Sequence, residues 1–454
     1  MRVFNLRNGE SHAELYRAFA ARLSPADDAD GEATARAILR DVKSRGDAAV
    51  LEYTRRFDCA DAAALRVPES AIDEAVARVS GTPLWDAMTL AAQRIRAFHE
   101  RQKRESWLTL SEPGETLGQI IRPLGRVGVY APGGAAAYPS TVLMAAIPAA
   151  VAGVREVALA TPPGRNGLPP DATLAAARIA GVSEVYAMGG AQAVAAFAFG
   201  TASVPAVVKI VGPGNRFVNA AKRLLFGTVG IDMLAGPSEV AVLADDSASP
   251  EIVARELIAQ TEHDPLNSAL LATPSERVAR ETQTEIEKQL VELPRAGIVR
   301  AALRENGYIA LTDTLDEAIA AINAYAPEHL HLLVREPWTV VPRIENAGAI
   351  LIGDASSAAL GDYLAGPCHT LPTAGSARFS SPLNVDDFTK KTSVIALGTD
   401  VARRLAPAAI VLAEAEGFAA HAASARQVLS DAKEGTGQGV QQTGNKMFPS
   451  FVSH

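Results

Sequence analysis

Glu328 and His329 are neighbours in Ala326-Pro327-Glu328-His329-Leu330, at the predicted start of a strand. A carboxylate beside an imidazole supplies two proton acceptors of different basicity, which acid–base chemistry near neutral pH requires. The same dipeptide also serves as a solvated Glu next to a His hydrogen-bonded at a strand edge. Gln260 and His263 fall near the end of a helix predicted from Pro250. Their i, i+3 spacing puts both side chains on one helix face, a seat for two ligands of a metal ion, although an ordinary polar helix end carries such a pair too. Gly361-Asp362-Tyr363 and Gly366-Pro367-Cys368-His369 form a predicted glycine-rich loop with a hard oxygen donor, another imidazole and a thiol. Cys368 suggests a nucleophile for an aldehyde, but nothing near it in sequence fixes a geometry to activate it. Glu416 and His421 read as two polar positions on the last predicted helix.

Three further segments suit a nucleotide. Tyr130-Ala131-Pro132-Gly133-Gly134, Met188-Gly189-Gly190-Ala191-Gln192 and Gly212-Pro213-Gly214-Asn215 each follow a short apolar run. Glycine turns at strand ends let backbone N–H groups approach a phosphate, and parallel sheets bind ligands at the carboxyl ends of their strands. A full dinucleotide fingerprint is missing, because Phe217 stands where a third glycine belongs. Each loop alone is equally a tight turn; the three together point to nucleotide binding.

Elements that would position these residues alternate regularly. From Gln119 onward, strand-length runs at 126–130, 156–160, 184–187 and 207–211 alternate with alanine-rich helical stretches. A second series begins at Glu239, with runs at 239–243, 268–272, 308–311, 329–334 and 349–352. Such alternation implies parallel pairing with right-handed crossovers. The expected fold class is α/β: two incomplete Rossmann-like domains with parallel sheets, a helical N-terminal segment and a small C-terminal extension. Expected boundaries are 1–118 for a helical scaffold packing on the second α/β domain, 119–235 for the nucleotide side, 236–382 for the metal and substrate side, and 383–454 for the C-terminal segment. Residues 24–28 read as a helix cap, 69–106 as one helical stretch, the last helix as running from about 402 or 407 to 432, and 435–444 as a loose tail.

The 454 residues, 48% hydrophobic and 21% charged, hold ample material for packed cores. A net charge of −8 argues against nucleic acid or anionic lipid as a partner. Two cysteines cannot make a disulfide framework or a thiolate zinc cluster. The opening residues lack the apolar core of a signal peptide, and no apolar run reaches about eighteen residues, so a soluble cytoplasmic protein is expected.

Taken together, the motifs resemble the histidinol dehydrogenase family. Gly236-Pro237-Ser238-Glu239-Val240, Gln260-Thr261-Glu262-His263-Asp264, Tyr325 to Leu330, Gly361-Asp362-Tyr363 with Leu371 to Gly375, and Glu416 to His421 are similar to its signatures in their order. The second and third glycine turns match its cofactor-side loops. The resemblance runs from about residue 127 to 421 and more weakly through the N-terminal helices. It implies two successive oxidations of L-histidinol to L-histidine through histidinal, with two NAD reduced and one water consumed. It further implies one zinc per subunit on Gln260, His263, Asp362 and His421, and NAD contacts from Tyr130, Gln192 and Asn215. Substrate contacts would come from Ser238, His329 and Glu416 besides the metal ligands, and Glu328 with His329 would be the acid–base pair. A homodimer with exchanged C-terminal segments and shared active sites is also implied. Two features depart: Cys368 stands where asparagine is more usual, and the chain extends past the final helix. The alternative is a paralogue oxidising another primary alcohol to its carboxylate, but Ser238 and Glu416, the groups such relatives lose, are both present.

Overall fold

A computed structural model describes residues 1–7, 11–23, 29–133, 137–182 and 184–430. The cap read at 24–28, Gly134 of the first glycine turn and the tail at 435–444 lie outside the described residues. Two compact units divide the chain: residues 1–103 with 123–390, and residues 104–122 with 391–454. In chain order the strands are β1 (Arg2–Asn5), β2 (Trp107–Glu112), β3 (Glu115–Pro123), β4 (Arg126–Tyr130), β5 (Glu156–Thr161), β6 (Glu184–Ala187) and β7 (Lys209–Val211). They continue as β8 (Gly230–Ile231), β9 (Glu239–Ala244), β10 (Ser268–Thr273), β11 (Gly307–Leu311), β12 (His329–Leu333), β13 (Ala349–Ile352) and β14 (Thr389–Leu397).

The first unit holds two wholly parallel sheets, as the alternation predicts. The five-stranded sheet has the order β6-β5-β4-β7-β8. Its strands are apolar on both faces because helices cover both. Val127, Val129, Val157 and Leu159 pack with helices Pro139–Ala152 and Asp171–Ala180 on one side. Ala158, Ala160 and Ile210 pack with Gly190–Phe199 and Arg216–Leu225 on the other. β5 and β6 extend to one side of β4 and β7 and β8 to the other, so a crevice opens between the carboxyl ends of β4 and β7.

The six-stranded sheet runs β1-β11-β10-β9-β12-β13. Its edge strand β1 comes from the N-terminal segment that the sequence reads as helical throughout. Four residues with a single buried one, Phe4, carry too little pattern to announce a strand. The following helix, His12–Leu23, packs Phe19 edge-on against Tyr308 and Tyr325 of this sheet's core. Helices Ala29–Arg45 and Asp47–Phe57 instead contribute to a core around the five-stranded sheet. The stretch expected as one helix at 69–106 is two, Glu69–Val79 and Pro83–Glu100. Thr82 caps the second, its Oγ1 accepting the Trp85 N–H at 3.3 Å, with Pro83 in the first turn.

The second unit contains β2 and β3, which pair antiparallel, together with β14 and two helices, Thr399–Ala415 and Ala419–Ser430. The last helix is therefore not continuous. Gly417 at φ +78° breaks it, so Glu416 caps the first piece and His421 lies in the second.

Candidate active site

The carboxyl ends of β4, β6 and β7 bring the glycine turns together. Tyr130 closes β4 fully buried, and its hydroxyl accepts the Gly190 N–H at 3.1 Å. Burial pushes the phenol up to about 12, so it keeps its proton and can donate. Gly212 has φ +112°, and a Cβ there would lie 2.1 Å from the Tyr130 carbonyl oxygen, so no other residue fits. Its N–H donates to Asp232 at 2.7 Å and its carbonyl accepts from Lys222 Nζ at 3.0 Å. Lys222 and Asp232 are themselves a fully buried ion pair.

Asn215 caps helix Arg216–Leu225: its Oδ1 accepts the Phe217 and Val218 N–H groups at 3.0 and 3.1 Å. The cap consumes its oxygen and leaves the exposed amide N–H₂ for a ligand. Gln192 is buried on helix Gly190–Phe199 with its Nε2 3.5 Å from Asp58 Oδ2. A Cβ at Gly189 would come to 2.6 Å from Pro162 Cγ, and one at Gly214 to 2.3 Å from Val218. These bare backbone turns at the switch-point crevice fit a dinucleotide.

Glu328 and His329 sit at the opposite kind of edge, the amino ends of β9 and β12. The chain leaves helix Leu315–Tyr325 through Ala326, which takes a left-handed φ of +51°, and then presents Glu328 and His329 at the head of β12. Both side chains are buried. Glu328 Oε2 accepts the Glu239 main-chain N–H at 3.0 Å and lies 3.8 Å from His329 Nδ1. His329 Nε2 is 3.0 Å from Asp362 Oδ1, and Asp362 Oδ2 accepts from Gln260 Nε2 at 3.3 Å. His369 Nδ1 bonds the Asp362 carbonyl oxygen at 3.0 Å. His329, Asp362 and His369 also line a cavity of about 880 Å³ whose walls include Leu351, Leu364 and Leu371.

Electrostatics separates these groups. Burial is the main influence on Glu328 and pushes its carboxyl up to about 7, against the opposing pull of the His329 charge and the Glu239 N–H. Burial alone would depress His329, but the Asp362 hydrogen bond and the Glu328 and Asp362 charges outweigh it and hold the imidazole above its usual pKa. Asp362 likewise overcomes burial through His329, His369 and Gln260 and stays below the ordinary carboxylate range.

A buried support lies beneath. Arg22 pairs with Glu239 at 2.8 Å and stacks its guanidinium 3.7 Å over the Tyr325 ring. The Ala374 N–H donates to the same Glu239 carboxylate, from a second left-handed alanine at φ +51°. Asn267 accepts the Ser238 N–H at 3.0 Å and donates to the Gln260 carbonyl at 2.8 Å, tying the head of β9 to the end of helix Pro250–Thr261. Asn219 joins the two edges: its Nδ2 donates to Gly214 O at 3.2 Å and to Ala235 O at 2.7 Å.

Glu328 and His329 stand at the start of their strand, as expected, and so at the amino end of the sheet, which the carboxyl-edge rule does not cover. Several other expectations change. His263 is not on a helix face with Gln260; the helix ends at Thr261, and His263 is exposed two residues beyond it. It remains close enough to His369 for its charge to act there. Asp362 lies in the last turn of a short helix, Ala358–Tyr363, rather than in a loop. Glu416 and His421 belong to the second unit, where both are exposed. Cys368 is buried, its thiol bonded to Met144 O at 3.3 Å and accepting the Thr370 N–H at 3.4 Å. Burial pushes it up to about 12, so it is no nucleophile.

Among the described residues no three His, Cys, Asp or Glu side chains converge on a metal position. Gln260 and Asp362 do converge, with His263 near, and an all-nitrogen and oxygen donor set suits a zinc that retains an open position. These residues fit that ion. Arg22, Asp58, Asn219, Lys222, Asp232 and Asn267 were not singled out from the sequence. A polar residue just before a buried strand, as Asn267 precedes Ser268, was the one local signal. Among the described residues no helix is long and apolar enough to cross a membrane.

A family model described as histidinol dehydrogenase matches residues 22–428. The chain is 48% identical over 434 residues to histidinol dehydrogenase of Geobacter sulfurreducens, covering 93% of this chain and 99% of the relative. Against histidinol dehydrogenase of Moorella thermoacetica it is 52% identical over 392 residues, 86% and 92% of the two chains. The crystal structure of histidinol dehydrogenase from Elizabethkingia anophelis superposes with a TM-score of 0.88 at 35% identity, covering 95% of this chain and 99% of that one.

Proposed function

The chain belongs to the histidinol dehydrogenase family, an NAD-linked oxidoreductase of histidine biosynthesis that converts L-histidinol to L-histidine, and from that premise we propose how its residues divide the work. His329 is the base of both oxidations. It takes the hydroxyl proton at a ring nitrogen in the alcohol step, and the proton of the hydrated aldehyde in the second. Glu328, whose carboxyl titrates at about 7 in its buried setting, is poised to deprotonate the water that adds to the aldehyde. Asp362 holds His329 in line through the 3.0 Å contact. Gln260, His263, Asp362 and His421 would hold zinc, which would supply a Lewis acid to orient the substrate. Tyr130, Gln192 and Asn215 would hold NAD, which would supply a hydride acceptor for each half. Ser238, His329 and Glu416 add substrate contacts besides the metal ligands. No thiol is used.

His421 and Glu416 complete the site from the partner subunit in a homodimer, a reading supported by the exposure of both side chains. A cytoplasmic location accords with a small-molecule biosynthetic substrate. The observation that carries this scheme is the convergence of Gln260, Asp362 and His329 within 3.3 Å contacts beside a buried Glu328. Purified enzyme with NAD should form NADH from L-histidinol and not from small diols or hydroxy-sulfonates. No NADH from millimolar histidinol would overturn the scheme.

A further inference from the structure

Asp58 is a carboxylate at the cofactor edge that no step above employs. It caps the end of helix Asp47–Phe57 and is half-buried. Its Oδ2 faces Gln192 Nε2 at 3.5 Å, it accepts the Gly189 main-chain N–H, and its charge reaches the Tyr130 hydroxyl. A Cβ added at Gly189 would meet both Asp58 oxygens at 3.2 Å and Pro162 at 2.6 Å, so the bare turn packs directly against the carboxylate and the proline and fixes where the carboxylate lies. A carboxylate has about four lone-pair positions, and two donors leave acceptor capacity on the side of Asp58 that is not buried. Burial pushes Asp58 up to about 6, the mark of a carboxylate short of donors. It is still ionised at neutral pH.

Sheet order says which part of a dinucleotide lies there. The β7 turn is the one joined to the substrate edge, through Asn219. The β6 turn beside Asp58 is three strands away in the order β6-β5-β4-β7. At about 4.8 Å per strand that is about 14 Å, a span suited to an extended dinucleotide. The reacting ring must lie toward the substrate edge, so the adenosine half falls at the Asp58 end. A ribose offers hydroxyl donors to an acceptor-only group, whereas a 2′-phosphate offers it negative charge.

We propose that Asp58 accepts hydrogen bonds from the adenosine ribose hydroxyls of NAD and discriminates against the 2′-phosphorylated dinucleotide. The inference rests on Tyr130, Gln192 and Asn215 as the cofactor contacts. The test titrates NAD and NADP calorimetrically, and in steady state with histidinol, into zinc-loaded wild type, Asp58→Asn, Asp58→Ser and Asn215→Ala, each checked for a cooperative thermal melt. Both Asp58 variants should bind NAD about tenfold more weakly and lower the NAD-to-NADP preference by about a hundredfold, as expected when a site built for a hydroxyl loses its acceptor. The histidinol KM should move less than the NAD KM. Asp58 variants with NAD affinity within twofold of wild type overturn the proposal, as does an equal loss for both cofactors. If Asn215→Ala is also silent, the cofactor reading itself has failed. If Asn215→Ala weakens NAD and Asp58→Asn does not, only the Asp58 inference falls.

Discussion

Lys222 and Asp232, paired with both side chains out of solvent, grip the two peptide groups of Gly212 from opposite sides: Asp232 accepts its N–H at 2.7 Å and Lys222 donates to its carbonyl at 3.0 Å. Ion pair and turn thus form one unit. Lys222→Met leaves a carboxylate uncompensated in the interior and should cost about 3–5 kcal/mol, read as a lower denaturation midpoint. Lys222→Met with Asp232→Leu should recover part of that loss yet leave NAD affinity impaired, since the turn has lost both anchors. Full recovery of both would show that the pair does not shape the turn.

The metal prediction concerns exchange. Dialysis against a chelator should abolish turnover and added zinc should restore it. His263→Asn should reduce bound zinc, measured by elemental analysis, because it removes the imidazole nitrogen proposed to hold the ion. Cys368→Ser should keep both zinc and activity, at a stability change of about 1 kcal/mol. An inactive Cys368→Ser that retains zinc contradicts the assignment of that thiol to packing.

Glu328 and His329 should separate by half-reaction. His329→Asn should slow the oxidation of histidinol and of added histidinal alike, by two orders of magnitude or more, on the order of what removal of a general base costs. Glu328→Gln should mainly slow the histidinal step, which alone needs activated water. Equal slowing of both steps by Glu328→Gln refutes the division.

Asp58 also has a consequence for stability. Its folded pKa, about 6, lies above the ordinary value of 3.8, so the native state favours the protonated form. The stability it contributes is complete below about pH 4 and is lost as pH rises through about 6. Asp58→Asn should therefore raise the melting temperature at pH 8 relative to wild type and leave it nearly unchanged at pH 4. A stabilisation that does not depend on pH would exclude burial of charge as its cause.

Subunit exchange is testable by complementation. Two inactive variants, His421→Ala and His329→Asn, are co-refolded in equal amounts. If each site takes His421 from the partner, random pairing makes half the dimers mixed, each with one whole site, and about a quarter of sites should recover. Activity at background places both residues in one chain.

Local pattern was enough for much of this. The apolar runs of β4, β6 and β7 are buried on both faces, and the turns after them carry their own chemistry, so those strands and Asn215 are legible in isolation. His329 at the head of β12 follows from a proline and an apolar run. Position at a helix end was harder. Glu262 rather than a glycine closes helix Pro250–Thr261, so nothing local marks His263 as lying outside it. Gly417 was a visible stop, masked by alanine-rich sequence on both sides. Arg22 and Glu239, or Asn219 and Ala235, meet through tertiary packing that no periodicity encodes.

With the roles proposed above, glycine turns at the carboxyl edge of one sheet and Glu328 with His329 at the amino edge of another have a kinetic consequence. Each turnover uses two dinucleotides on one substrate molecule, and without a thiol tether the reactive aldehyde must be retained between them. Under that scheme a spent dinucleotide departs from its own edge while the aldehyde stays at the other, and the finished acid is the product expected in solution.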